Sequence, residues 1–112
     1  MVLKGFINMK IWVDDVRPAP EGYVWCKSVN EAIAEIKYIE AAVYFGEVDK
    51  IELIDIDHDA GDYVHDGGDY IKLLDWLEET GRNYPIRTHS MNPVGRENMR
   101  RIIEKIGWKE IK

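Results

Sequence analysis

Within Asp55-Ile56-Asp57-His58-Asp59, three carboxylates and an imidazole fall in five residues. Carboxylates are hard oxygen ligands for cations such as Mg²⁺ or Mn²⁺. Imidazole exchanges protons near neutral pH. The pattern suits metal-assisted or acid–base chemistry, with Asp57 and His58 as the candidate reacting groups. Such charges are costly to bury unpaired, so the stretch should reach an open edge. The run that leads into it, Ile51 to Ile56, is apolar at four of six positions and reads as a strand buried on both faces. That strand should leave the core and present Asp57, His58 and Asp59 at its carboxyl end, where open α/β sheets bind ligands.

Two further polar clusters end apolar runs. Asp14-Asp15 follow the short strand Met9 to Val13, and His89-Ser90 follow a strand over Pro85 to Thr88. An acidic pair alone is a weak signal, because Asp is common in loops. Three clusters at the same end of three strands are a stronger one. If the strands are parallel neighbours, Asp14, Asp15, Asp57 and Asp59 share one edge as candidate metal ligands, and His89 joins His58 as a candidate catalytic base or acid. Arg17 either pairs with Glu21 or reaches a substrate phosphate as a bidentate donor. Asn92 suits a helix N-cap better than a ligand contact, with Pro93 at the first helical position. The amide groups of that helix start face the same edge and offer a phosphate site.

Each residue also has a structural reading. Asp55, inside the strand, is equally well a hydrogen-bonded structural acid. His58 could orient a neighbouring acid, and His89 could be a satisfied core histidine. Both stand at strand ends, so replacing either should leave the fold intact. His65 lies in a polar loop and reads as a surface residue. Asp55-x-Asp57-x-Asp59 resembles the start of a calcium loop, but its glycine falls at position seven instead of six and a strand precedes it.

The elements that must position these groups are legible around them. After the loop Arg17 to Gly22, Tyr23 to Lys27 forms a second strand. The roughly eight loop residues reach about 26 Å when extended, at ~3.3 Å each. A parallel crossover without a helix is therefore feasible, and a hairpin is the alternative. Ser28-Val29-Asn30-Glu31 is a capping box. Val29, Ala32, Ile33, Ile36, Ile39 and Val43 follow at helical spacing as far as Gly46. A second helix carries Tyr70, Ile71, Leu74 and Leu77 and stops at Gly81. A third carries Met99, Ile102, Ile103 and Ile106 and stops at Gly107. Trp108 to Ile111 reads as a short last strand. Strands that alternate with amphipathic helices predict a parallel sheet covered on both faces.

The chain has 112 residues, enough for one domain, and its 46% hydrophobic content argues against disorder. A net charge of −6 disfavours generic DNA binding and an anionic membrane surface. The single cysteine, Cys26, excludes an internal disulfide framework, reads as a buried structural thiol and suits the cytoplasm. No apolar run is long enough to span a membrane. Residues 1–8 carry no chemistry and read as a possible flexible extension, with Met9 as an alternative start.

Asp14-Asp15-Val16-Arg17-Pro18-Ala19-Pro20, Asp57-His58-Asp59 and His89-Ser90-Met91-Asn92-Pro93-Val94-Gly95 together resemble the motifs of a divergent offshoot of response-regulator receivers, the cyclic-phosphate processing receiver domains. The resemblance covers Met9 to Ile111. It implies a flavodoxin-like three-layer fold with a five-stranded, mostly parallel sheet of order 2-1-3-4-5, about three helices, and no first receiver helix. It implies a small-molecule cyclic phosphate or a cyclic-phosphate RNA end as substrate; the residues' own chemistry adds Mg²⁺ or Mn²⁺ at the acids and places Arg17 and Ser90 on the phosphate oxygens. Ordinary receivers close their last strand with a lysine. Here Lys109 stands at the wrong end of that strand, which speaks against phosphorelay signalling. The rival readings are a phosphate- or metal-sensing module without turnover, and a structural interaction domain.

Overall fold

A computed structural model describes residues 7–90, 92–108 and 111. The chain runs β1 (Asn8–Val13), β2 (Tyr23–Cys26), α1 (Val29–Tyr44), β3 (Lys50–Ile56), a 3₁₀ turn (Gly61–Tyr63), α2 (Ile71–Glu79), β4 (Ile86–Thr88) and α3 (Pro93–Ile106).

The helix starts follow from their caps. The Glu31 amide donates to Ser28 Oγ at 3.0 Å. The amides of Val94 and Gly95 donate to Asn92 Oδ1 at 3.0 and 3.1 Å. Losing such a cap costs about 1 kcal/mol. Gly107, at φ 82°, ends α3 in the left-handed conformation that glycine tolerates. In α2 the cap position falls on Tyr70, whose hydroxyl instead donates to the Lys27 carbonyl at 2.6 Å.

The described strands form one parallel sheet of order β2-β1-β3-β4. The β1–β2 connection, the open question in the sequence, is parallel and carries no helix. The register decides the site. Val13 pairs with Ile56, and Ile56 with Thr88. The next residues, Asp14, Asp57 and His89, therefore stand in one row. Backbone bonds from Asp57 N to the Val13 carbonyl (2.9 Å) and from His89 N to the Ile56 carbonyl (3.1 Å) fix that row.

Ile11, Val13, Cys26, Ile54, Ile56 and Ile86 turn to one face. There they join Ala32, Ile36 and Ile39 of α1, Leu73, Leu74 and Leu77 of α2, and Met99 and Ile103 of α3 in a single buried cluster. Each fully buried aliphatic side chain stabilises the fold by about 1.5–3 kcal/mol.

Helices were expected on both faces, but all three described helices feed this one layer. The opposite face carries Lys10, Trp12, Tyr23, Trp25, Leu53, Asp55 and Arg87. Trp12, only 8% exposed, meets the edge of Tyr23 at 5.8 Å. The physical reason is the short β1–β2 connection, which leaves no chain for a covering helix. A fifth strand was also expected. Lys109 and Glu110 lie outside the described residues. Ile111 N donates to the Ile86 carbonyl at 2.8 Å, on the outer edge of β4. Residues 1–6 likewise lie outside, whereas Asn8 belongs to β1.

Candidate functional site

The row Asp14, Asp57 and His89 opens onto a cleft of about 450 Å³ lined by Asp14, Asp15, Val16, Arg17, Pro18 and Asp57. Suitable oxygen and nitrogen atoms of Asp14, Asp57 and His89 lie within 4.8 Å of one another. No lysine lines this cleft.

Asp14 is the best-held acid. Its Oδ1 accepts from the amides of Val16 (2.9 Å) and Arg17 (2.8 Å), and its Oδ2 lies 2.8 Å from His89 Nε2. Burial alone would raise its pKa, but those two amides and His89 outweigh burial and hold the carboxyl below its usual range. Asp15 is the opposite case. Burial pushes its carboxyl up, and the negative charges of Asp14, Asp57 and Asp59 add to the effect. A Cβ on Gly61 would lie 2.2 Å from Asp15 Oδ2, so the glycine, at φ +54°, is what lets the loop close over this carboxylate. Asp57 Oδ1 accepts from the His58 amide at 2.8 Å. Asp59 faces outward and accepts from the Gly61 amide at 2.9 Å, shaping the loop without lining the cleft.

His89 is largely shielded, with its side chain 9% exposed, and both ring nitrogens are engaged. Nδ1 lies 2.6 Å from Asp55 Oδ1, and Nε2 contacts Asp14. Burial would lower its pKa, but the two carboxylates more than offset this and raise it. Asp14, Asp57 and His89 are the group whose donor atoms stand close enough together to hold a cation, and Asp15 lines the same cleft.

Of the two readings open for Asp55, the geometry follows the structural one: it is 1% exposed and holds His89, with Arg87 Nε 3.8 Å from its other oxygen.

His58 packs its ring on the first turn of α3. A Cβ on Gly95 would fall 2.2 Å from its Cγ. Its Nδ1 is buried without a hydrogen-bond partner among the described residues. Ser90, 3% exposed, accepts from the Asn92 amide at 3.0 Å. With Asn92 engaging the Val94 and Gly95 amides, the start of α3 is already capped from within. Arg17 is exposed, and it makes no ion pair with Glu21 among the described residues. His65 is exposed and its Nδ1 lies 2.7 Å from the Asp62 carbonyl, as a surface residue would.

Sequence reading missed three features. Trp12 stacks on His89, Asp66 fastens the polar loop to Ser28 and Asn30 (2.6 and 3.1 Å), and Glu40 of α1 joins Arg82 of the α2–β4 connection. Only the last had a signal, the polar Glu40 beside an apolar stripe.

Residues 9–105 match the cyclic-phosphate processing receiver domain, and the chain belongs to that family. Comparison with curated proteins and with solved structures gave no match. No described helix is long and apolar enough to cross a membrane.

Proposed function

We propose that this domain opens cyclic phosphodiesters by hydrolysis, with a divalent cation held by Asp14, Asp15 and Asp57. The observation that carries this reading is the composition of one cleft: three carboxylates for a cation and the Arg17 guanidinium for a phosphate, on the sheet edge where ligands bind. Mg²⁺ or Mn²⁺ bound there supplies positive charge against the phosphoryl oxygens.

The chain's own groups have separate tasks. Arg17 binds phosphate oxygens through its planar donors. His58, whose amide donates to the neighbouring Asp57 carboxylate at the same sheet edge, carries the proton. Water oxygen bonds to phosphorus and its proton passes to His58. The bond from phosphorus to one ribose oxygen breaks, and that oxygen takes a proton from His58. His89 acts as a positioning residue: it holds Asp14 Oδ2 toward the cleft and is itself held by Asp55. Ser90 and Asn92 set the start of α3, against which His58 rests.

The test is hydrolysis of a 2′,3′-cyclic nucleotide and of a cyclic-phosphate RNA end by the purified chain with Mg²⁺ or Mn²⁺, read by chromatography. Linear phosphate product that disappears on chelation and in His58→Ala is the expected result. No product from either substrate sinks the hydrolase reading. Binding without product puts the sensing module in its place.

A further inference from the structure

Helix α3 stands apart electrostatically. It carries four cations, Arg96, Arg100, Arg101 and Lys105, against two acids, Glu97 and Glu104. Helices α1 and α2 each carry more acids than bases, in a chain of net charge −6. Arg100 is held by Glu104, Nε to Oε1 at 3.3 Å, whereas Arg96 works against helix stability. Arg96 lies near the helix N-terminus, where the macrodipole disfavours positive charge. Arg96 and Arg100 are four residues apart, a spacing at which like charges repel by about 0.2–0.5 kcal/mol. The first turn of α3 holds no acid to compensate.

Both arginines line a cavity of about 580 Å³ between β4, α3 and Ile111, together with Arg87, Thr88, Pro93 and Glu97. Three guanidinium groups and one carboxylate thus share one opening. Arg87 links it to the acidic cleft through only two side chains: Arg87 Nε lies 3.8 Å from Asp55, and Asp55 holds His89. Thr88 lines the cavity and precedes His89 in the chain.

We infer that this arginine-lined cavity binds a second phosphate group, the backbone phosphodiester next to the reacting end of an RNA strand. Planar guanidinium groups match phosphate oxygens two by two. A mononucleotide bound in the acidic cleft has no second phosphate to offer the arginines, whereas a strand carries one. The inference rests on the cyclic-phosphate reading for its choice of strand, and it deepens that reading by naming the substrate as an RNA end.

The experiment measures binding and not turnover, on the full chain. A labelled five-nucleotide RNA ending in a linear 3′-phosphate is titrated by fluorescence anisotropy at several salt concentrations. The matching mononucleotide 3′-phosphate and inorganic pyrophosphate serve as competitors. In Arg96→Gln/Arg100→Gln, the preference for pentanucleotide over mononucleotide is expected to fall at least tenfold. The slope of log affinity against log salt should shrink by about 1.4, or ~0.7 for each lost contact to a single strand. Arg96→Gln alone, at an exposed position, should give half that change in slope. An unchanged preference and slope in variants that melt like the parent chain overturns the inference. So does pyrophosphate that displaces the pentanucleotide at equal concentration, because the ligand is then a small anion. RNA binding that depends on the arginines, with no hydrolysis of any cyclic phosphate, leaves the cavity standing and removes the hydrolase. Hydrolysis with no arginine effect does the reverse.

Discussion

The imidazole of His89 lies flat on the indole of Trp12, with ring centroids 3.8 Å apart and planes 7° from parallel. The indole is fixed in turn, because its Nε1–H donates to the Arg17 carbonyl at 2.9 Å. One stack therefore ties the end of β4 to the loop that carries Arg17. His89 also separates two buried carboxylates, Asp14 and Asp55, which are 2% and 1% exposed.

His89→Ala should therefore unsettle the fold as well as the site, although a histidine at a strand end reads as a rim residue in the sequence. Removing one partner from a buried charged pair costs about 3–5 kcal/mol. Denaturant unfolding should show a loss of that order. His89→Gln restores one hydrogen bond and should recover part of it. If His89 positions Asp14, the Mg²⁺ concentration for half-maximal turnover rises in His89→Gln more steeply than maximal turnover falls. An unmoved metal dependence argues against the positioning role.

The cation itself gives a second prediction. Asp15 is pushed up by burial and by Asp14, Asp57 and Asp59, so a bound ion relieves repulsion that the metal-free fold carries. A ligand at a hundred times its dissociation constant stabilises the folded state by ~2.7 kcal/mol. Thermal unfolding should shift upward in millimolar Mg²⁺ or Mn²⁺, and Asp57→Asn should lose most of the shift. A melting curve indifferent to both metals rules out the site.

Phosphorelay makes a third. The cleft around Asp57 contains Arg17 and no lysine. Acetyl phosphate should leave little stable phosphate on Asp57. Intact mass spectrometry that finds a stoichiometric adduct, absent from Asp57→Asn, restores the response-regulator reading.

Much of this was written in local sequence. Ser28 and Asn92 announce their helices because a side-chain oxygen next to an apolar stripe has one evident use. The row of Asp14, Asp57 and His89 was legible because each ends a run of strand-forming residues. What was not legible depends on pairs distant in the chain. Asp55 and His89 are 34 residues apart, and nothing near Asp55 says which partner it holds. That no described helix covers the second sheet face was missed because a covering helix is inferred from alternation, whereas Trp12, Tyr23 and Trp25 can shield a face by size alone.

Far from the site, Glu40 accepts from Arg82 Nε (2.9 Å) and Nη2 (2.9 Å), and Tyr84 donates its hydroxyl to the same carboxylate. Arg82 and then Tyr84 hold the Glu40 carboxyl below its ordinary value of 4.5, despite some burial. A depressed acid stabilises the fold above its unfolded pKa and loses that contribution as pH falls through the folded one. The pair should therefore contribute near neutrality and fade below about pH 4.5. For a partly exposed pair the effect is about 1 kcal/mol. Glu40→Gln should be less stable than the parent chain at pH 7, and the difference should shrink as pH falls below about 4.5. A constant difference across that range assigns the loss to packing instead.

Gly95 offers a test in which two effects of opposite sign can be separated. Inside a helix, alanine is favoured over glycine by about 1 kcal/mol. At this position, however, a Cβ would stand 2.2 to 2.5 Å from three atoms of the His58 ring, so the ring must move. Gly95→Ala should keep or slightly raise the melting temperature through α3 while displacing His58. If His58 carries the proton, turnover should drop by about 10²- to 10⁴-fold, the usual contribution of a positioned acid or base. His58→Ala should give a similar loss, and the double variant should be no worse than either, because both remove the same group. Additive losses in the double variant would mean that Gly95 serves the site by some route other than His58.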